Sequence, residues 1–258
     1  MQPRANSHGS PVRRARHVMG TTASIHVHDA APQELVERAI DEVLVELDRL
    51  EAMFSTYRED SEISRVNRGV LHLGDCSREV TEVLDACTWL EQASNGAFDI
   101  RPQGLEGPID PAGFVKGWAA ERASAALARC GLEHWYVSVG GDIIVSGSPA
   151  SGERWRIGIA NPIRPGEIIA SLDVEGGAVA TSGTAERGAH LWDARSGAAA
   201  EEFASVTVSG PSLAWADAFA TTVFVMGEAG IEWVSQFDGY HAVAIRPDGT
   251  LLASAALG

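Results

Sequence analysis

Lysine is nearly missing from this 258-residue chain: Lys116 is the only one, and the other nineteen of its twenty Lys and Arg side chains are arginines. The three cysteines are odd in number and form no C-x-x-C pair, and Cys87 and Cys130 lie on apolar helical faces, so we expect buried free thiols rather than disulfides or thiolate metal ligands, in a cytoplasmic protein. Positive charge is scarce too, because the formal net charge is −15. That acidity argues against nucleic acid and anionic membrane surfaces as partners. The absence of any apolar run of bilayer length argues against membrane insertion.

The N-terminal segment 1–17 is basic and has no apolar stretch behind it, so it lacks the form of a signal peptide. We expect this segment to be a disordered tail. The rest of the chain shows no internal repeat, low-complexity segment or linker that would divide it. With 45% apolar residues, it has enough material for a core. We therefore predict a single compact domain over 18–258.

Apolar spacing of three and four residues predicts helices over Pro32–Phe54, from Ser77 to Gly96, and over 115–131. The stretch "HWYVSVGGDIIVSG" predicts two strands joined by a tight turn at Gly140-Gly141-Asp142. More strands follow, then two helices in "SLAWADAFATTVFVMG" and "AGIEWVSQF" and a hairpin around "RPDGT". Because helices and strands come in blocks, the fold class is α+β, with mixed or antiparallel sheets flanked by helices.

The helix predicted in "SLAWADAFATTVFVMG" carries one carboxylate, Asp217, in an almost wholly apolar sequence. Ser212 is the expected N-cap, which places Asp217 beyond the first turn, where capping and the helix dipole do not explain it. Thr221 lies four residues further on, so its hydroxyl shares a helical face with the carboxylate. Two hard oxygen ligands side by side suit Mg²⁺. The alternative is that Asp217 pairs with an arginine and Thr221 bonds back to a carbonyl.

Lys116 follows a loop that can receive an anion. In "IDPAGFVKGW" the turn residues from Asp110 to Gly113 lead directly into a helix, whose first backbone amides can bind a phosphate. Gly113 allows a ligand to approach the backbone, and lysine is a compact cation where arginine would be a broad planar fork. The alternative is an ordinary capped loop with an exposed lysine, in a chain whose codon usage favours arginine.

His190, in "GAHLWDARSG", is a candidate base, a hydrogen-bond partner for a ligand, or an ordinary residue at a strand edge. The sequence contains no H-E-x-x-H, G-x-S-x-G, G-x-G-x-x-G or Walker A motif that would decide between reaction classes. His26 and His28 alternate along a predicted strand, and we expect them on its solvent face.

Eight segments occur in a familiar order and approximate spacing: "VMGTTASIHV", "FSTYREDSEISRVNRG", "NGAFDI", "DPAGFVKGWAAER", "VSVGGDIIVSG", "ATSG", "HLWDARSG" and "ADAFATTVFVMG". Through them the chain resembles the FAD:protein FMN transferases, the ApbE-like flavin transferases, from about Val18 to Gly227. The resemblance implies an ApbE-like α+β fold that binds FAD with a divalent metal, usually Mg²⁺. It also implies transfer of the FMN half of FAD to a Ser or Thr hydroxyl of an acceptor protein, with release of AMP.

Matched residue by residue, the resemblance also implies individual roles. Asp217 and Thr221 match the family's metal ligands, with the carbonyl of Gly113 as a third. Lys116 matches a position of the FAD site and is expected, together with His190, to serve catalysis. The other implied FAD contacts are Met19, Tyr57, Ala97, Phe98, Asp99, Asp110 and Trp192. Trp192 stands where the family usually has an aliphatic residue, and "HLWDARSG" lacks the proline that usually follows the family aspartate.

The implied chemistry is transfer at a pyrophosphate, which requires charge neutralisation, alignment and removal of a proton from the incoming hydroxyl. His190 or a nearby carboxylate could take that proton, and the sequence does not choose between them. Two rival functions remain: an FAD pyrophosphatase that uses water as the nucleophile, and a flavin-binding carrier without catalysis. The pair of Asp217 and Thr221 argues against the carrier, since flavin binding alone requires no metal.

Overall fold

The computed structural model describes residues 8–101, 107–183, 192–193 and 195–254. The strands are β1 (His8–Val18), β2 (Thr21–Asp29), β3 (Trp135–Val139), β4 (Asp142–Ser146), β5 (Trp155–Ala160), β6 (Ile168–Val174), β7 (Gly177–Gly183), β8 (Trp192–Asp193), β9 (Ala198–Ala199), β10 (Ser205–Gly210), β11 (His241–Ile245) and β12 (Leu251–Ala253). The helices are α1 (Gln33–Phe54), α2 (Glu62–Asn67), α3 (Arg78–Ala93), α4 (Ala112–Arg129), α5 (Leu213–Met226) and α6 (Glu228–Val234), with a short 3-10 turn at Leu73–Asp75.

Eight strands form one antiparallel sheet in the order β1-β2-β3-β4-β7-β10-β11-β12. Helices α1, α4 and α5 pack against one face of this sheet. The β5–β6 hairpin covers part of the other face, where Trp155 and Ile157 meet Val145 and Val179. Helices and strands alternate in blocks, and the predicted α+β class is confirmed.

The predicted helices and hairpins form, with small shifts at their ends. Helix α1 turns one apolar face inward, including the fully buried Ile40 and Leu47. The hydroxyl of Ser77 accepts a hydrogen bond from the amide of Val80 and caps α3. Helix α4 begins at Ala112, earlier than the predicted start at 115.

The turn between β3 and β4 consists of Gly140 and Gly141, whose φ angles are 60° and 89°. A two-residue hairpin turn of the primed type requires positive φ at its central positions, which glycine adopts without strain. The predicted tight turn is therefore confirmed, and Asp142 is the first residue of β4 rather than part of the turn.

The expectation of a disordered tail over 1–17 is wrong for residues 8–17, which form most of β1. Alternate side chains of this edge strand face α1, where Arg16 pairs with Asp48 at 2.7 Å and also donates to a backbone carbonyl. The arginine-rich composition that suggested disorder therefore supplies partners for an acidic helix. Residues 1–7 lie outside the described residues.

All three cysteines are free thiols, but Cys130, which was expected to be buried, is only half-buried, as is Cys76. Cys87 is buried, and this burial raises the pKa of its thiol to about 12, so it remains protonated and unreactive at neutral pH. In the described part of the chain, none of the helices combines the length and the apolar character that crossing a membrane requires.

Helices α4 and α5 cross very closely at Gly117. A Cβ atom at this position would lie 2.5 Å from a backbone carbonyl oxygen of α5 and 2.8 Å from the Cβ of Asp217. Only glycine fits such a crossing without displacing a helix. The contact brings the backbone of α4 against the face of α5 that carries Asp217.

Glu121, one turn after Gly117, caps α5. Its Oε2 accepts hydrogen bonds from the Ser212 hydroxyl at 2.7 Å and from the amide of Ala214 at 3.0 Å. A carboxylate at a helix N-terminus satisfies a free amide and interacts favourably with the helix dipole. The capping predicted for the Ser212 side chain is therefore performed by Glu121, on a different helix.

Candidate active site

Three charged side chains meet between α4, α5 and β4, and we call Lys116, Asp142 and Asp217 the buried trio. The Lys116 ammonium pairs with Asp142 Oδ2 and lies 3.5 Å from Asp217 Oδ1. Asp142 and Asp217 are only 1% and 3% exposed. When all three are ionised, two carboxylates share one ammonium in the interior. Buried charges of this kind are costly unless ion pairs, hydrogen bonds or a further cation compensate.

Asp217 is fixed at the helix crossing, where its Oδ2 accepts a hydrogen bond from the amide of Gly117 at 2.9 Å. Burial and then the neighbouring Asp142 raise the pKa of Asp217 to about 7, against the opposing effects of Lys116 and the Gly117 amide. Among the described residues its charged partner is a lysine, so the alternative of an arginine pair is wrong.

Thr221 lies one turn after Asp217, and its Oγ1 is 3.0 Å from the hydroxyl oxygen of Ser182 at the end of β7. A hydroxyl that binds a metal through its oxygen can still donate its hydrogen to a neighbour, and the Ser182 hydroxyl oxygen is within reach as an acceptor, although either hydroxyl can be the donor of this bond. The bond back to a helical carbonyl is made by Thr222, which donates to Ala218 at 2.8 Å. The surroundings of Thr221 thus suit a neutral oxygen ligand.

By helix geometry the carbonyl of Gly113 in α4 is directed at the same amide that donates to Asp217. In a regular α-helix the Gly117 N–H bonds to the carbonyl of Gly113, yet this N–H donates to Asp217. Sharing one hydrogen weakens each bond, and the carbonyl keeps a lone pair for another partner. Carbonyl, carboxylate and hydroxyl oxygens are the donors that Mg²⁺ prefers.

The residues implied as metal ligands therefore fit a magnesium ion, through a mixed oxygen set. Within the described ranges no three His, Cys, Asp or Glu side chains gather as a metal site of the more usual kind. The fit depends on one carboxylate supported by neutral oxygens. Such a set leaves coordination positions for phosphate and water, as magnesium sites in phosphoryl-transfer enzymes do.

Lys116 forms part of the wall of a polar cavity of about 610 Å³ at the turn ends of β2 and β3. The other lining residues are glycines or carry hydroxyl groups: Gly20, Thr21, Thr22, Ser24, Ser138, Gly140 and Gly141. The Lys116 side chain is only 19% exposed, so the alternative of a solvated lysine on an ordinary loop is wrong.

Asp110 lines a second cavity, of about 360 Å³, together with Thr56, Ser64, Asn67, Arg68, Pro108 and Ile109. Its Oδ1 accepts a hydrogen bond from the amide of Ala112 at 3.1 Å, which forms the turn into α4. The two cavities thus border the loop and first turns of α4. This is the place where the sequence predicted an anion-binding helix start.

The other expected FAD contacts surround this region. Ala97 and Phe98 are buried, and the Phe98 ring lies 3.3 Å from where a Cβ of Gly113 would stand. Met19 forms the turn between β1 and β2 with a φ of 55°, next to the larger cavity. Tyr57 is 96% exposed in the loop after α1.

Asp99 is half-buried, and its Oδ1 accepts a hydrogen bond from the amide of Arg101 at 2.7 Å. His190 lies outside the described residues. Trp192 is described through its backbone in β8 alone. The expected roles of these three residues stay predictions.

Sequence reasoning missed Asp142, which it placed in a turn without a function. In β4 this residue pairs with Val139 of β3. It lies two residues before the buried Ile144 and therefore shares the inward face of the strand with it, towards the helices. A carboxylate at an inward position of a buried strand requires a partner, just as one in an apolar helix does. That alternation was the signal in the sequence.

The profile of the ApbE family matches residues 19–107 and 101–244. The FAD:protein FMN transferase of Haemophilus influenzae is 24% identical over 81% of this chain and 79% of its own length. The protein of the same name from Treponema pallidum is 25% identical over 95% of this chain and 87% of its own. A flavin transferase ApbE structure from Vibrio cholerae superposes with a TM-score of 0.83 at 23% identity, covering 96% and 98% of the two chains, which shows a shared fold.

Proposed function

The chain belongs to the ApbE family, and we propose that it is an FAD:protein FMN transferase, the activity that its relatives are named for. The observation that carries the proposal is the buried trio in the wall of a polar cavity. A chain with a net charge of −15 keeps its single lysine at this cavity. A compact cation in the wall of such a cavity suits the phosphate groups of FAD.

In the proposed reaction, the hydroxyl oxygen of a Ser or Thr of the acceptor protein bonds to the phosphorus of the FMN half of FAD. The bond from that phosphorus to the bridging oxygen breaks, and AMP leaves with this oxygen. The hydroxyl proton passes to a base, for which His190 and a nearby carboxylate are the candidates. Lys116 places its ammonium where negative charge accumulates on the phosphate oxygens.

We propose Mg²⁺ as the resident metal, held by the carboxylate of Asp217, the hydroxyl of Thr221 and the carbonyl of Gly113. When bound, this ion neutralises charge on the pyrophosphate. Asp217 is oriented for this role by the Gly117 amide, and Thr221 is oriented by Ser182. The residues thus preorganise the oxygen set before substrate arrives.

The proposed FAD contacts besides Lys116 are Met19, Tyr57, Ala97, Phe98, Asp99, Asp110 and Trp192. The exposed ring of Tyr57 offers a flat apolar surface, which suits stacking against an aromatic ligand. A cytoplasmic location is also part of the proposal, since free thiols suit a reducing compartment.

The test is to incubate the full chain with FAD, Mg²⁺ and candidate acceptor proteins. Acceptor mass is measured by mass spectrometry and nucleotides are measured by chromatography. We expect the acceptor to gain one FMN group for each AMP released, and we expect chelation of Mg²⁺ to stop both and to weaken FAD binding. Equal FAD affinity with and without chelator would contradict the metal assignment.

The same experiment separates the rival functions. Free FMN and AMP without a modified acceptor would indicate an FAD pyrophosphatase, with water as the nucleophile at the same site. Bound FAD without any AMP would indicate a carrier. Either result, obtained with acceptors that another family member modifies, would overturn the proposal.

A further inference from the structure

We propose that Asp142 is a positioning residue that holds the Lys116 ammonium and thereby leaves an oxygen of Asp217 for the metal. The inference rests on the proposed function and adds to it a residue for which neither the motifs nor the family resemblance provides a role. Asp142 acts through Lys116 and touches neither substrate nor metal. Its removal should therefore change the metal affinity of a correctly folded protein.

Both oxygens of Asp142 are engaged. Oδ1 accepts a hydrogen bond from the amide of Thr181 in β7 at 3.0 Å, and Oδ2 receives the Lys116 ammonium. The residue lies at the start of β4, directly after the turn at Gly140 and Gly141, where both flanking strands are paired. Two neighbouring strands therefore fix this carboxylate, and a fixed carboxylate can serve as an anchor for a flexible lysine stem.

The two oxygens of Asp217 are engaged unequally. Oδ2 accepts the Gly117 amide at 2.9 Å, while Oδ1 faces the Lys116 ammonium at 3.5 Å, beyond the usual length of a charged hydrogen bond. The ammonium thus lies closer to Asp142 than to Asp217. Asp217 Oδ1 is consequently the oxygen that is available for a stronger partner.

Removal of the Asp142 charge should reverse this preference. Asp217 would then be the remaining carboxylate of the buried trio for the ammonium, and charge attraction in a buried site is strong at short distance. A lysine drawn onto Asp217 Oδ1 would compete with Mg²⁺ for the same oxygen. Asp142 therefore separates two positive charges that the site needs at different places.

The first test is Asp142→Asn in the full chain, which preserves the acceptor for the Thr181 amide. Mg²⁺ binding is measured by calorimetry in the presence of FAD, and we expect the dissociation constant to rise about tenfold or more, as loss of one close charge interaction implies. Asp173→Asn is the matched control. Asp173 pairs with the exposed Arg156, so this substitution removes one negative charge from the surface instead of from the interior. The control should bind Mg²⁺ as the parent does.

The second test uses the fact that the chain has one lysine. In protein labelled with ¹³C and ¹⁵N lysine, without lysine in any tag, a single side-chain signal reports on Lys116 by NMR. We expect Asp142→Asn to move this signal, and Asp173→Asn to leave it unchanged. In the parent, the signal should keep its ion-paired character when Mg²⁺ and FAD are added. This measurement uses the parent protein alone, so it does not depend on whether any variant folds.

A double-mutant cycle with Lys116→Met decides whether Asp142 acts through the lysine. If it does, Asp142→Asn should weaken Mg²⁺ binding much less in the Lys116→Met background than in the parent. An equal loss in both backgrounds would overturn the positioning role, as would an unmoved lysine signal in folded Asp142→Asn. A parent that transfers FMN while Asp142→Asn binds Mg²⁺ equally well overturns this inference alone, whereas a parent that binds no Mg²⁺ with FAD overturns the metal assignment as well.

Discussion

A polar cluster lies near each end of the paired strands β2 and β3, and the two clusters are built differently. At the turn end lies the buried trio, with two carboxylates and one ammonium in the interior. At the other end lies what we call the histidine cluster, formed by His8, His28 and His134 around the backbone. The contrast is between paired charges held out of water and partly exposed imidazoles.

The histidine cluster connects chain segments through backbone groups. His28 Nδ1 lies 2.8 Å from the carbonyl of Pro149, and His8 Nε2 lies 3.0 Å from the carbonyl of Ser148. His134 Nδ1 accepts from the amide of Ser148 at 3.2 Å. Such bonds stabilise a loop and tie β1 to it, at modest cost because the three residues are only half-buried, although Nε2 of His28 is itself buried. The buried trio, by contrast, carries the free-energy cost of holding ionised groups away from water, and such a cost indicates a functional site.

Asp217→Asn should have the largest effect. We expect FMN transfer to fall by more than about a thousandfold, since the only charged ligand of the proposed metal is lost. Stability should stay equal or rise, because a buried carboxylate with a raised pKa is replaced by a neutral side chain of the same shape. Transfer assays and thermal melts measure the two quantities. Retained transfer would contradict the ligand assignment, and simple unfolding would show that Asp217 serves the fold instead.

Gly117→Ala should damage both fold and site. The added methyl group would meet the backbone of α5 and the Cβ of Asp217, so we expect a loss of roughly 1–3 kcal/mol in the free energy of unfolding. Displacement of Asp217 should also lower transfer. Gly74→Ala is the control, because a Cβ there meets no atom within 4 Å. Equal denaturation midpoints for both variants would contradict the close crossing.

Lys116→Arg and Lys116→Ala test whether the site needs a compact cation. We expect both to lower FMN transfer, on the order of ten- to a thousandfold for the loss of one preorganised electrostatic contact. Arginine should fail although it keeps the charge, because its planar fork is too broad for the space between Asp142 and Asp217. Thermal melts exclude misfolding as the cause. A parental rate for Lys116→Arg would mean that the lone lysine reflects codon usage alone.

Thr221→Ala should weaken the site without abolishing it. Mg²⁺ tolerates loss of a neutral ligand better than loss of a charged one, so we expect about a tenfold higher Mg²⁺ requirement. Ser182→Ala should shift the requirement in the same direction by less, since it removes only the partner of the hydroxyl. Magnesium titrations of transfer measure both. A larger shift in the Mg²⁺ requirement from Ser182→Ala than from Thr221→Ala would contradict the assignment of Thr221 as the ligand and Ser182 as its supporting partner.

How far the sequence predicts this molecule depends on the range of the interactions concerned. Periodicity predicted α1 and α5, and the isolated carboxylate in α5 singled out the face with Asp217 and Thr221 on which the proposed metal site depends. Those signals lie within one helix, where spacing determines which side chains are neighbours. The role of Asp142 was missed because its partner is on a helix that precedes its strand in the chain, and adjacent glycines made it resemble a turn residue.

Residues 8–17 show the same limit. Their composition suggests disorder, and only the structure brings Arg14 to Asp41 and Arg16 to Asp48 on α1. Strand pairing with β2 supplies the remaining stabilisation. His26 and His28 were expected on a solvent face and are half-buried instead, because Tyr136 and Trp155 pack against their rings.

The smallest effect is expected in the histidine cluster, from His28→Asn. Burial lowers the pKa of His28, aided by Arg13 and His8 and opposed by the Pro149 carbonyl and Asp29. As the pH falls, His28 takes up a proton in the unfolded state before it does so in the folded state. The free energy of unfolding of the parent should therefore decrease once the pH drops below the ordinary pKa of histidine. We expect His28→Asn to flatten the decline in Tm between about pH 7.5 and about pH 5.5 while FMN transfer at the upper pH stays parental. The exposed His17→Asn is the control and should leave the slope unchanged. If His28→Asn instead abolished transfer, the two ends of β2 would be coupled, and the division between a catalytic and a structural cluster would be wrong.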